Sequence, residues 1–182
     1  MVLTALLAIP LGLFAWFATQ IAPIANGQVL QGTLSWIPSL QMSLSFRLDG
    51  LGLLFSLLIS GIGALVLLYA SSYLHDHPHQ GRFYGYTLAF MAAMLGTVLA
   101  GDLITLFIFW ELTGLCSFLL IGFDYQQAAS RRAALQALLV TGAGGLALLA
   151  GLILLAEVAR SSNLAVIRSE EHTSELQSRI TI

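Results

Sequence analysis

From Leu51 to Leu74 the chain carries no charged side chain. Few features restrict a fold as severely. Wound as an α-helix at about 1.5 Å per residue, such a run crosses the roughly 30 Å hydrocarbon core of a bilayer. Inside that core the backbone must satisfy its own hydrogen bonds, and a helix does so within one segment. Four more stretches read the same way: Met1–Thr19, Phe83–Ala100, Leu103–Phe123 and Ala133–Val158. The sequence therefore predicts an all-α, polytopic transmembrane helix bundle of about five spans. Only 9% of residues are charged, against roughly 25% in soluble domains. Met1–Thr19 lacks the basic start and small-residue cleavage site of a signal peptide, so it reads as a retained span.

The connections follow from turn chemistry. Gln20–Leu48 contains Pro23, Asn26, Gly27, Gly32 and Pro38, and reads as an extramembrane connection. Trp16 and Trp36 suit its interfacial edges. Asp49 and Asp102 each stand just before an apolar run, where a carboxylate can cap free helix N–H groups. Residues 75–82 and 124–132 form polar loops after the second and fourth spans. They hold Arg82, Arg131 and Arg132, against Arg47 and Arg160 on the opposite side. That bias predicts both loops on the cytoplasmic face of a cell membrane. The fifth span is rich in Gly and Ala, which lets helices approach closely in lipid.

Composition excludes several functions. There is no basic run to bind nucleic acid. One cysteine, Cys116, rules out an intrachain disulfide and any cysteine-based metal cluster; it reads as a small core residue. His75, His77 and His79 alternate, but Pro78 interrupts them and no fourth ligand is evident, so a solvated loop is the better reading and no metal or cofactor is expected. Glu157, near Arg160, reads as half of a surface ion pair at the membrane edge. The glycines of "GAGG", Gly142–Gly145, lie inside an apolar span without the lysine of a phosphate loop.

One residue resists a structural explanation. In "LFIFWELTGLCSFLLIGF", Leu106–Phe123, Glu111 stands mid-span with no basic residue within a helical turn. An ionised carboxylate in hydrocarbon is costly unless paired or neutralised. Intramembrane acids usually face a bundle interior and mark proton or ion paths. Thr113 and Ser117 lie nearby on the same helix. They either bond backbone carbonyls or hold a water beside the carboxyl. Trp110 reads as a packing or anchoring residue.

From Arg168 the composition shifts abruptly. "RSEEHTSELQS", Arg168–Ser178, resembles, residue for residue, the translation of a common sequencing-library adapter. The expectation is that the natural gene is cut near Ile167. The chain then divides into a membrane part over 1–158, a short extramembrane segment over 159–167 and an artefactual tail over 168–182. On this reading His172, Glu170, Glu171 and Glu175 are not site candidates.

"LDGLGLLFSLLISGIGALVLLY", Leu48–Tyr69, and "FMAAMLGTVLAGDLITLFIFWELTGLCSFLLIGF", Phe90–Phe123, resemble the antiporter-like subunits shared by Mrp-type sodium/proton antiporters and respiratory complex I. "WELT" favours the antiporter branch, whereas "GLCS" leans towards complex I. The resemblance implies a larger bundle with inverted repeats and broken helices at mid-membrane, of which this chain is an incomplete part. It places the family's essential membrane glutamate on Glu111. Its partner there is a lysine on a later helix, and this sequence contains no lysine. The implied activity is export of Na+ in exchange for H+ within a complex of other antiporter subunits in the bilayer. The alternatives are a proton-translocating subunit of an NADH:quinone oxidoreductase or membrane hydrogenase, and a non-transporting scaffold subunit.

Overall fold

The computed structural model describes residues 2–37, 42–75 and 77–168. The named elements, in order, are α1 (Val2–Thr19), α2 (Ile21–Ala25), β1 (Leu30–Ile37), β2 (Met42–Leu48), α3 (Gly50–Tyr73), α4 (Gln80–Val98), α5 (Leu103–Ile121) and α6 (Ala128–Ala159), and residues 164–168 are also helical. The long helices pack in series, α1 on α3, α3 on α4, α4 on α5 and α5 on α6. Phe17, Leu48, Leu53, Met91 and Leu95 form one buried cluster where α1, α3 and α4 meet. Leu67, Ala70 and Tyr84 form a second. Most other large apolar side chains point outward, among them Leu65, Leu139 and Val158. Outward apolar faces are what a bilayer requires of a spanning helix.

Among the described residues, four segments are long and apolar enough to cross a membrane: Leu6–Ala25, Gly50–Tyr73, Leu103–Ile121 and Ala128–Ala159. The expectation of about five spans thus becomes four plus α4. The α4 helix is more polar, carrying Arg82, Tyr84, Tyr86 and Thr87, yet it packs between α3 and α5. A helix flanked on both sides by protein needs less apolar surface than one facing lipid. The last helix begins at Ala128 rather than Ala133, because Ala-Ala-Ser-Arg-Arg contains no helix breaker. Arg131 and Arg132 therefore lie on its first turns.

The helical membrane bundle is as expected, with one minor addition. Within the Gln20–Leu48 connection, β1 and β2 pair antiparallel, from Leu30 opposite Leu48 to Ile37 opposite Met42, with an irregularity between Ser35 and Ile37. Met42, Leu44, Phe46 and Leu48 alternate with Ser43, Ser45 and Arg47, which is the period of a strand.

Glycines set the closest helix approach. The Phe109 ring of α5 lies directly against Gly96 of α4, where a Cβ would overlap it. A ring held at its root cannot swing away as a flexible chain end can. Gly96→Ala in the complete subunit is expected to cost about 1–3 kcal/mol through overpacking. Gly85→Ala on the same helix meets nothing within 4 Å and serves as the control. Thermal unfolding in detergent checks this; equal midpoints for the two variants would refute it.

Candidate functional site

The connections between the long helices gather at two ends. At one end the hairpin, the α4–α5 turn and the segment after α6 are laced together. Arg47 N–H donates to the Leu99 carbonyl at 2.7 Å, and Gly101 N–H to Ser45 at 2.8 Å. Leu103 N–H donates to Ser162 at 3.0 Å, and Leu164 N–H to Gly101 at 3.1 Å. A Cβ on Gly101 would meet the Ser45 hydroxyl at 2.8 Å and the Ser45 backbone at 3.3 Å. The turn therefore fits against β2 only with glycine.

Asp102 is the centre of this junction and is only 8% exposed. Its Oδ1 accepts from Thr105 N–H at 2.8 Å, the N-cap bond of α5. Its Oδ2 accepts from Ser45 N–H at 3.0 Å, the Ser45 hydroxyl at 2.6 Å and the Thr105 hydroxyl at 2.7 Å. Burial is the largest single influence and works against the charge. The bonds from Ser45 and Thr105 together outweigh it and hold the carboxyl below its ordinary value. Asp49 caps α3 in the simpler way, accepting from Gly52 N–H at 3.0 Å, with Arg47 Nε at 3.6 Å. Both acids thus make cap bonds at helix starts, and Asp102 also binds the hairpin to α5.

At the other end the two polar loops meet. The His77 ring lies 5.1 Å from Phe123 and 5.9 Å from His79, and His79 lies 6.1 Å from Tyr125. Arg82 sits 5.2 Å from the Tyr125 ring centre and bonds the Tyr86 hydroxyl at 3.1 Å. Residues 77–82 and 123–125 therefore share one end of the bundle. His77 and His79 face aromatic rings, and among the described residues no three of His, Cys, Asp and Glu group as metal ligands. Asp76 lies outside the described residues, as do His172, Glu170, Glu171, Glu175 and the tail beyond Arg168.

Glu111 lies midway along α5, between these ends. Its helix starts where Asp102 fixes it, and α6 passes alongside. The side chain is half-buried and lines a groove of about 480 Å³ with Phe107, Trp110, Leu138, Thr141 and Gly142. Its carboxylate abuts the backbone of Gly145. Among the described residues nothing hydrogen-bonds or ion-pairs with it. Thr113 does not reach it, because its hydroxyl donates to the Trp110 carbonyl at 2.6 Å. The Ser117 hydroxyl makes no hydrogen bond among the described residues. Cys116 is buried and free. Glu157 forms no ion pair with Arg160 among the described residues. Instead Arg160 takes a left-handed conformation at the C-cap of α6. Gly145 was not a sequence candidate. Its neighbours Gly142 and Gly144 give the same local signal, and only the α5–α6 crossing separates them.

The architecture defines a multi-pass membrane protein with a carboxylate held at mid-span. Two family models match it. NADH-ubiquinone oxidoreductase (complex I) chain 5 N-terminus covers residues 35–84. The transmembrane model shared by NADH:quinone oxidoreductase and Mrp antiporters covers residues 100–181. The chain belongs to this antiporter-like subunit family. It is similar, at 46% identity over 171 residues, to Na(+)/H(+) antiporter subunit A1 of Staphylococcus aureus strain bovine RF122 / ET3-1. That alignment takes in 94% of this chain and 21% of the relative, so the chain spans about a fifth of that protein. Among solved structures, a chain of the Mrp complex from Dietzia sp. DQ12-45-1b superposes with TM-score 0.71 at 34% identity, over 92% of this chain and 21% of that one. The archaeal membrane-bound sulfane sulfur reductase shares the fold, with TM-score 0.72 at 19% identity, over 93% of this chain and 26% of that one.

Proposed function

We propose that this chain is part of a cation/proton antiport subunit that exports Na+ in exchange for H+, with Glu111 as its intramembrane proton relay. The observation that carries the reading is a carboxylate at mid-span, on a groove, with no partner among the described residues. The similarity to a Na(+)/H(+) antiporter subunit supplies the ions. In hydrocarbon an unpaired carboxyl is favoured with its proton on; an approaching cation favours the carboxylate and releases the proton. In the complete protein that cation is a lysine on a later helix. The proton then leaves when the lysine closes and returns when it withdraws. The subunit works beside other antiporter subunits in a plasma membrane, with residues 75–82 and 124–132 on the cytoplasmic side.

The match to the complex I chain 5 model favours a second reading, a proton-translocating subunit driven by redox chemistry. One measurement separates them. The complete gene set is expressed in cells without sodium/proton antiporters, and everted vesicles are given a preformed pH gradient. Added NaCl is expected to dissipate it without NADH. A gradient indifferent to Na+ overturns the antiport reading.

A further inference from the structure

The Glu111 carboxylate occupies a notch in α6 made by one missing side chain. A Cβ built on Gly145 would lie 2.8 Å from the Glu111 carboxyl carbon and 3.2 Å from Oε2, with Oε1 nearer still. Gly145 is buried, whereas Glu111 is flanked on its open side by the groove that reaches Trp110 and Thr141. Gly144 and Gly151, on the same helix, meet nothing within 4 Å. The small-residue character of α6 is therefore general, but the demand for glycine at this contact is local.

We infer that Gly145 is a positioning residue that holds the relay carboxylate in the α5–α6 seam. This rests on the proposed role of Glu111 and extends it to the partner helix. The atoms nearest Gly145 are all at the far end of a flexible side chain. An added methyl can therefore be accommodated by turning Glu111 out of the notch, without parting the helices. Packing is preserved while the reacting group is misplaced. Displacements of about an ångström at a reacting group can cost roughly a hundredfold in rate. A residue that merely sealed a helix contact would show the reverse, with assembly lost first.

The test uses the complete subunit in its assembled complex, in everted vesicles. Gly145→Ala is expected to keep wild-type abundance and assembly while NaCl-driven proton movement falls roughly tenfold or more. Gly144→Ala and Gly151→Ala keep wild-type rates. Adding Glu111→Asp to Gly145→Ala is expected to restore part of the activity, because the shorter side chain no longer reaches the new methyl. Wild-type transport in Gly145→Ala, loss of assembly in that variant, or no recovery in the double variant each overturns the inference. Glu111→Gln runs alongside. If it transports normally, the relay role itself fails; if it is inactive while Gly145→Ala is normal, only the positioning role fails.

Discussion

Glu111→Gln in the complete subunit is expected to reduce NaCl-driven proton movement to background, with abundance and assembly unchanged. The substitution keeps the size and shape of the side chain, so the fit against Gly145 and the groove beside Trp110 survives. It removes the one property the mechanism needs, an oxygen that gains and loses a proton. Intramembrane acids are retained against a cost of several kcal/mol because they perform such steps. The preformed gradient in everted vesicles reads the result directly. Glu111→Gln vesicles that respond to NaCl like wild type would make Glu111 a structural residue and support a scaffold role.

Asp102→Ala is expected to destabilise the subunit by about 3 kcal/mol. Four donors, the backbone N–H and hydroxyl groups of Ser45 and Thr105, then lose their common acceptor. Losing an N-cap costs about 1 kcal/mol, and stranding buried donors adds a comparable amount or more. Because the contributions are coupled, they do not add fully. The sign of the pH effect follows from the lowered carboxyl. Its stabilisation is fully present above the ordinary value of 3.8 and is lost as pH falls through the lower folded-state value. Wild type should therefore lose thermal stability on acidification below about pH 4, and Asp102→Ala should lose less. Thermal melts of the detergent-solubilised subunit at neutral and acid pH measure both. Equal midpoints for the two proteins at neutral pH would show that the junction does not bear on stability.

These two residues also mark how far the chain could be understood without its structure. Glu111 stood out in the sequence because a charge in an apolar helix violates the solvent rule that every neighbour obeys. Asp102 was legible as a helix start, since Asp followed by an apolar run is a local signal. Its bonds to Ser45 were not, because they join residues far apart in the chain. The hairpin was partly hidden. Gly27, Gly32 and Pro38 read as loop punctuation, while the alternation from Met42 to Leu48 was the available strand signal. The third span, Phe83–Ala100, was legible as a helix, but its polar start was not explained until α4 was seen flanked by α3 and α5.

The sequence by itself determined the solvent of this protein, its helical spans and the identity of its exceptional carboxyl. Each depends on composition within a single segment, where backbone hydrogen bonding and hydrocarbon thickness leave one solution. The tertiary structure alone decided what surrounds that carboxyl. Gly142, Gly144 and Gly145 are alike along the chain. Which one faces Glu111 depends on the rotation and crossing of α6 against α5, set by packing between helices rather than by either helix alone.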